Sequence, residues 1–354
     1  MLFTVEHVTG EQKSLKNRNW PINRRQVLMV SVVVCIFGCI FGTCAYKSSH
    51  VQVRGSEYRN SAFGLSHHGG MLVFTDDGDG GSDLYTCTLP GVNVSSLART
   101  PEYESSPTYS PDDKEVVYSA GIPNDNADHI FVRSVNGSRV QQVTSARAND
   151  KEPSYEPNGL HIIFARNEYA TGGLQGPTWS GYCSLYITDR DGKNVSRLTP
   201  DFYDIIHPQY ATGGKSVMFT GMSDSDSNGR WTGDIYEVTI VGAQAGKPMP
   251  ITHSGDIEYA SIANHLPKIV GLCFDGTFKI MDLHGNLIRQ IGTKRKGPGL
   301  DAHMKPAFSA DDTHILFLQP NGDHRYLLYE TDLAGRRTDQ VFSKELFSDP
   351  LDWR

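Results

Sequence analysis

Several chemistries are missing from this chain of 354 residues. Its six cysteines include no CxxC pair: Cys35, Cys39 and Cys44 share one apolar segment, while Cys87, Cys183 and Cys273 are scattered at spacings that suit no metal site and read as buried free thiols. No G-x-S-x-G elbow, HExxH pair, phosphate-binding loop or Gly-rich dinucleotide fingerprint occurs, so the common hydrolase, metalloprotease, nucleotide and dehydrogenase signatures are absent. A basic surplus is absent too: 33 Lys and Arg stand against 40 Asp and Glu, a net charge of −7, and the basic residues are spread along the chain, so no nucleic-acid partner is expected. What is abundant is turn chemistry, with 35 glycines and 18 prolines between short runs of Tyr, Val, Ile, Phe and Thr. Such runs favour strands over long helices.

One stretch departs from this pattern. From Gln26 to Tyr46 the chain carries no charge, and the run is long enough to cross a hydrocarbon core of roughly 30 Å as one helix. Lys13, Lys16, Arg18, Arg24 and Arg25 precede it, so the positive-inside bias predicts a cytoplasmic tail (1–25), a transmembrane signal anchor (26–46), a linker (47–60) and an extracytoplasmic remainder (61–354). A cleaved signal peptide, a lipoprotein box at "IFGC" and a twin-arginine signal at Arg24-Arg25 are the alternatives.

The remainder repeats. "SPTYSPDDKEVVYS", "EPSYEPNGLHIIFA", "HPQYATGGKSVMFT" and "KPAFSADDTHILFL" share an eleven-residue step from Pro107 to Tyr118, Pro153 to Phe164, Pro208 to Phe219 and Pro306 to Phe317. Phe63 to Phe74 and Ala260 to Gly271 are weaker copies. A second step of six residues joins Tyr85 to Gly91, Phe131 to Gly137, Tyr186 to Gly192, Tyr236 to Gly242 and Tyr329 to Gly335, with Lys279 to Gly285 degenerate. Fixed steps signify paired strands, and the glycine supplies a positive φ for a turn. Each unit reads as four antiparallel strands that cannot bury both faces alone, and radial packing solves this. The expected fold is all-β: a six-bladed β-propeller of four-stranded blades preceded by one transmembrane helix, with a seventh blade left open by "SDPLDWR", which looks like an innermost strand.

Only the step from second to third strand varies widely, from 8 residues (Gly271 to Lys279) to 22 (Phe164 to Tyr186). Acidic tips such as "DSDSNGRW" at 224–231 and "DDGDGGSD" at 76–83 sit in these loops, but position twelve counted from Asp224 is Ile235 rather than a bidentate Glu, so hairpin closure is expected before calcium. The two longest insertions, on neighbouring blades, carry Tyr169, Trp179 and Trp231. On the same end, just before innermost strands, lie Glu152, His207, Glu258 and His303. An aromatic lip beside a polar central mouth is expected, suited to a protein, a peptide or a glycan; the plainer alternative is that each Trp packs its own loop.

The units resemble those of TolB-like, WD-repeat-like propellers, whose blades run Pro-x-aromatic-Ser-Pro-Asp-Gly, an apolar strand, Asp-Ile-Tyr and a turn glycine; Ser106 to Asp113 and Asp234 to Tyr236 match best. The resemblance covers residues 60 to 350 and implies fold rather than function. TolB itself carries an α/β domain ahead of its blades, for which the stretch between Tyr46 and Phe63 leaves no room. A binding scaffold without cofactor is the first expectation. The alternative is a lyase resembling oligogalacturonate lyases, in which His207 and His303, with Glu152 or Glu258, would hold a divalent ion such as Mn²⁺ or Ca²⁺.

Overall fold

The two recurring steps of the sequence become strand register. In the computed structural model, which describes residues 70–353 apart from 78–81, 90–93, 101–102, 123–126, 169–181, 212, 224–230, 243, 293–304, 321–325 and 342–351, every named element is a β-strand. The aromatic residue at the end of each step meets its partner directly across the second and third strands: Phe74 faces Tyr85, Tyr118 faces Phe131, Phe164 faces Tyr186, Phe219 faces Tyr236 and Phe317 faces Tyr329. In all five the rings stack, with centroids 5.7–5.9 Å apart and planes within 27°. Such cross-strand pairs pin the register, because a slip by one residue would turn each ring to the opposite face. The degenerate sixth unit pairs Gly271 with Lys279 instead, and Ile257 and Met281 close over the glycine.

The strands form six antiparallel sheets. Blade II comprises Glu104–Tyr109, Glu115–Gly121, Asp128–Ser134 and Val140–Gln142, from the axis outwards. Blade III follows with Asn149–Tyr155, His161–Asn167, Ser184–Asp189 and Ser196–Arg197. In blade IV, Asp204–Tyr210, Ser216–Ser223 and Thr232–Val241 are edged by Gln244–Ala245 and Met249–Pro250. Blade V holds Ile257–Ile262, Lys268–Cys273, Phe278–Asp282 and Leu287–Ile291; blade VI holds Ala307–Phe308, His314–Pro320, Tyr326–Asp332 and Thr338–Gln340.

Blade I closes the ring. Its outer three strands, Gly70–Asp77, Ser82–Leu89 and Ser95–Ala98, are joined at the axis by the C-terminal Asp352–Trp353, which pairs Leu72 with Trp353 and Val73 with Asp352. The segment that left a seventh blade open is thus the innermost strand of the first, and the wheel has six blades. Phe63, the proposed start of that first unit, lies outside the described residues, as do the tail and the expected anchor at 26–46. Among the described residues no helix is long and apolar enough to cross a membrane. The innermost strands touch in sequence around the axis, each meeting the next, and Asp352–Trp353 touches both Ala307–Phe308 and Glu104–Tyr109.

Blade faces bury the apolar residues against the neighbouring blade: Val73, Leu84 and Leu97 of blade I pack with Tyr109, Val116 and Tyr118 of blade II, and Val117 and Ile130 pack with Ile162 and Phe164 of blade III. Cys87, Cys183 and Cys273 are buried free thiols, and burial pushes Cys87 and Cys183 up to about 12 and Cys273 up to about 11. The described third-turn glycines have positive φ as the six-residue step requires, and three meet the blade before: a Cβ on Gly192 would lie 2.1 Å from the Val143 carbonyl oxygen, one on Gly285 2.1 Å from that of Ile251, and one on Gly335 2.5 Å from the Ile291 side chain.

Candidate binding surface

Around the axis, one position of the repeat is irregular in blade after blade. Ser106, Glu152 and His207 each precede the proline of their innermost strand, and each takes a positive φ of 50–55°. The pairing register slips there in blades II, III and IV, and at Glu258 in blade V. A bulge suits the site because proline has no N–H to offer the ladder. Non-glycine residues at positive φ are uncommon, and three at one repeat position mark a built feature. The corresponding residue of blade VI is Lys305, before Pro306, and it is buried. Glu152 and His207 therefore share one repeat position, and with Glu258 they lie inside their innermost strands rather than just before them as expected; His303, the fourth residue expected there, lies outside the described residues, and Lys305 holds the matching position.

Much of this polar level latches blade to blade. Thr108 Oγ1 donates to the Pro153 carbonyl at 3.1 Å, Lys151 Nζ reaches Asp204 at 2.8 Å, the Ile262 N–H donates to Gln209 Oε1 at 2.9 Å, and Ser261 Oγ donates to the Pro306 carbonyl. His207 Nδ1–H donates to the Ala260 carbonyl at 2.7 Å. Burial lowers the His207 pKa well below the usual histidine value, the Lys305 charge adds to this, and the Ala260 bond only partly offsets both, so the ring is neutral at pH 7. Burial works against the charge on Lys151 as well, yet the Asp204 carboxylate outweighs it and holds that pKa above the lysine range. Among the described residues no three His, Cys, Asp or Glu side chains converge as a metal ion would need.

An aromatic row, exposed at both ends, lies where blades III and IV meet. The connection from blade III to blade IV is pinned by reciprocal 2.8 Å bonds between Cys183 and Phe202, which turn Phe202 inward, edge-on to Phe219 at 5.1 Å and to Tyr236 at 5.0 Å. The next residue, Tyr203, turns outward. It meets Trp231 at 4.5 Å on one side and, edge-on at 6.3 Å, Tyr182 on the other. Tyr182 is 56% and Trp231 44% exposed. Trp231 is positioned by its own chain: a Cβ on Gly233 would lie 2.1 Å from the Ile257 carbonyl oxygen, so only glycine lets the loop lie against the link to blade V. Trp231 thus packs against Tyr203 of the connection between blades III and IV. Tyr169 and Trp179, the other residues of the expected lip, lie outside the described residues.

Tyr182 and Tyr203 escaped the sequence reading. Neither belongs to a recurring step, and the only available signal was the cluster Phe202-Tyr203 at a blade connection next to the two longest loops.

No protein-family model matches the chain. Curated Tol-Pal system proteins TolB from Francisella tularensis are 21% identical over 182 residues, which is 51% of this chain and 39% of theirs. The match thus spans well under half the length of those relatives. Among solved structures, TolB from Acinetobacter baumannii is similar with a TM-score of 0.62 at 18% identity, over 80% of this chain and 66% of that one. Kuenenia stuttgartiensis hydrazine synthase gives 0.60 at 14% identity, over 81% and 47%. Likeness at these identities concerns the fold, which enzymes and binding proteins share. The described six-bladed propeller is TolB-like.

Proposed function

We propose that the chain is a membrane-anchored, extracytoplasmic binding scaffold that receives a protein or peptide segment on the end of the propeller bearing Tyr182, Tyr203 and Trp231. The observation that carries the reading is that row: three aromatic side chains where two neighbouring blades meet, ring against ring, with Tyr182 and Trp231 exposed and Tyr203 half-buried between them. Large aromatic residues with few rotatable bonds are the usual anchors of protein interfaces. Glu152 and Glu258, half-buried at the central bulges, would add polar groups, whereas His207 is buried and committed to the Ala260 carbonyl. The curated relatives carry the name of the Tol-Pal system, which supports a protein partner over a glycan. The uncharged run 26–46 behind five basic residues supports the anchor and its direction.

The test uses the full chain. Proteins crosslinked in intact membranes are compared between wild type and the double variant Tyr203→Ala/Trp231→Ala, and a partner retained by the first and lost by the second is the expected result. An anchor of this weight costs about 2 kcal/mol or more when truncated, whereas exposed residues change stability by only about 0.5 kcal/mol. Equal capture by a folded double variant overturns the recognition role. Protection of the propeller from protease added on the cytoplasmic side checks the topology.

A further inference from the structure

Two places beyond Tyr85, Phe131, Tyr186, Tyr236, Lys279 and Tyr329, each third strand points a side chain at the blade before it. In blades I, III, IV, V and VI this residue is Cys87, Thr188, Val238, Met281 or Thr331, and all five are buried. Small or apolar groups thus close those seams, and the two hydroxyls are satisfied within their own blades: Thr188 Oγ1 donates to the Lys193 carbonyl at 2.8 Å and Thr331 Oγ1 to the Arg337 carbonyl at 2.9 Å. Blade II departs from this. Its residue is Arg133, half-buried, so a guanidinium sits where every other blade has a compact core group.

The seam that Arg133 faces holds a cavity of about 360 Å³, lined among others by Thr100 from the link out of blade I and by Ile122, Phe131, Arg133, Val140 and Gln142 of blade II. That volume falls at the small end of the range of ligand sites, roughly 300–1,000 Å³. Val140 and Gln142 belong to the outermost strand and are exposed, so the cavity is reached from solvent along that edge. Inside it, Arg133 Nε is buried and finds no acceptor among the described residues. A guanidinium N–H withdrawn from water without an acceptor carries a desolvation cost that a ligand oxygen would remove. Glu104 lines the same cavity but is engaged elsewhere: its Oε1 accepts from Thr100 Oγ1 at 2.5 Å. It also stands in the innermost strand of the blade, whereas Arg133 stands in the third, roughly 10 Å across the sheet.

We propose that the seam between blades I and II binds a small organic carboxylate with a flat apolar body, its carboxylate on Arg133 and its body against Ile122, Phe131 and Val140. The guanidinium offers a planar fork that matches the two oxygens of a carboxylate and rewards its charge, which a neutral carbonyl lacks. The apolar wall suits a ring or a short hydrocarbon chain, and the volume suits a free acid of about one ring. Seated this way, the ligand keeps its negative charge at the outer end of the cavity, away from Glu104. The site stands apart from the Tyr182–Tyr203–Trp231 row and does not depend on it.

The test titrates the full-length protein in detergent with phenylacetate, phenylpropanoate and phenylbutanoate, and with the three corresponding uncharged amides, followed by calorimetry. Saturable binding of at least one acid is expected, with its amide about tenfold weaker or more. Arg133→Met should weaken binding of that acid by a similar factor, and it should fold, because Met281 already fills the matching position of blade V. Titrating this variant in the same detergent also separates site binding from uptake of the acids by micelles. Absence of saturable binding for all three acids, equal binding of an acid and its amide, or unchanged binding in a folded Arg133→Met variant overturns the proposal; should that variant not fold, the comparison of acid with amide on the wild type decides.

Discussion

At the scale of single residues, His207 shows how much of the central level is architecture. Its imidazole bridges blades IV and V through Ala260 and is buried and neutral. A folded-state pKa below the unfolded value of about 6.5 means that the unfolded chain takes up more protons in mild acid, so the contribution to stability is complete above that pH and is lost as pH falls through and below it. Unfolding in urea between about pH 7.5 and about pH 5.5 should therefore show stability falling with acid, this residue contributing at most about 1.4 kcal/mol per pH unit. Asparagine tolerates positive φ and can present its amide N–H where Nδ1–H now points, so His207→Asn should fold and show a shallower pH dependence. An unchanged slope would assign the acid sensitivity elsewhere.

The strand-turn-strand unit is the scale at which sequence spoke most clearly. Both recurring steps correspond to direct cross-strand partners or to a turn glycine, and pairing geometry tolerates no drift in either, which is why Pro107, Tyr118, Phe131 and Gly137 could be placed by counting. Loops obey no such constraint, so Tyr182 and Tyr203 left no periodic trace. The central ring was half legible: counting one residue back from each proline yields Glu152 and His207 but leads to Lys305 rather than His303, and to Ser106 in blade II. Two glycines separate backbone from packing. Gly137 and Gly192 have φ of 73° and 84°, but a Cβ meets nothing within 4 Å at the first and the Val143 carbonyl at the second. Alanine at Gly137 should cost about 1 kcal/mol from conformation alone, whereas Gly192→Ala should cost about 1–3 kcal/mol more through the clash between blades. Equal losses in chemical denaturation would show that the turn yields without disturbing its neighbour.

For the molecule as a whole, the decisive contact is the one that joins its two ends. Asp352–Trp353 completes blade I beside Gly70–Asp77 and touches the innermost strands on both sides. Deleting residues 352–354 should remove at least about 1–2 kcal/mol of backbone pairing and make Gly70–Asp77 the first point of proteolytic attack. A truncated protein that melts and resists protease as wild type does would show that five closed blades hold the sixth without this strand. The dependence has an implication for synthesis. A chain emerging from the ribosome, or threading through a translocation pore, carries a bare hydrogen-bonding edge along Gly70–Asp77 until its closing residues arrive some 280 positions later. For that interval any stray strand can dock where Asp352–Trp353 belongs, so the nascent chain is most exposed to mispairing along this edge.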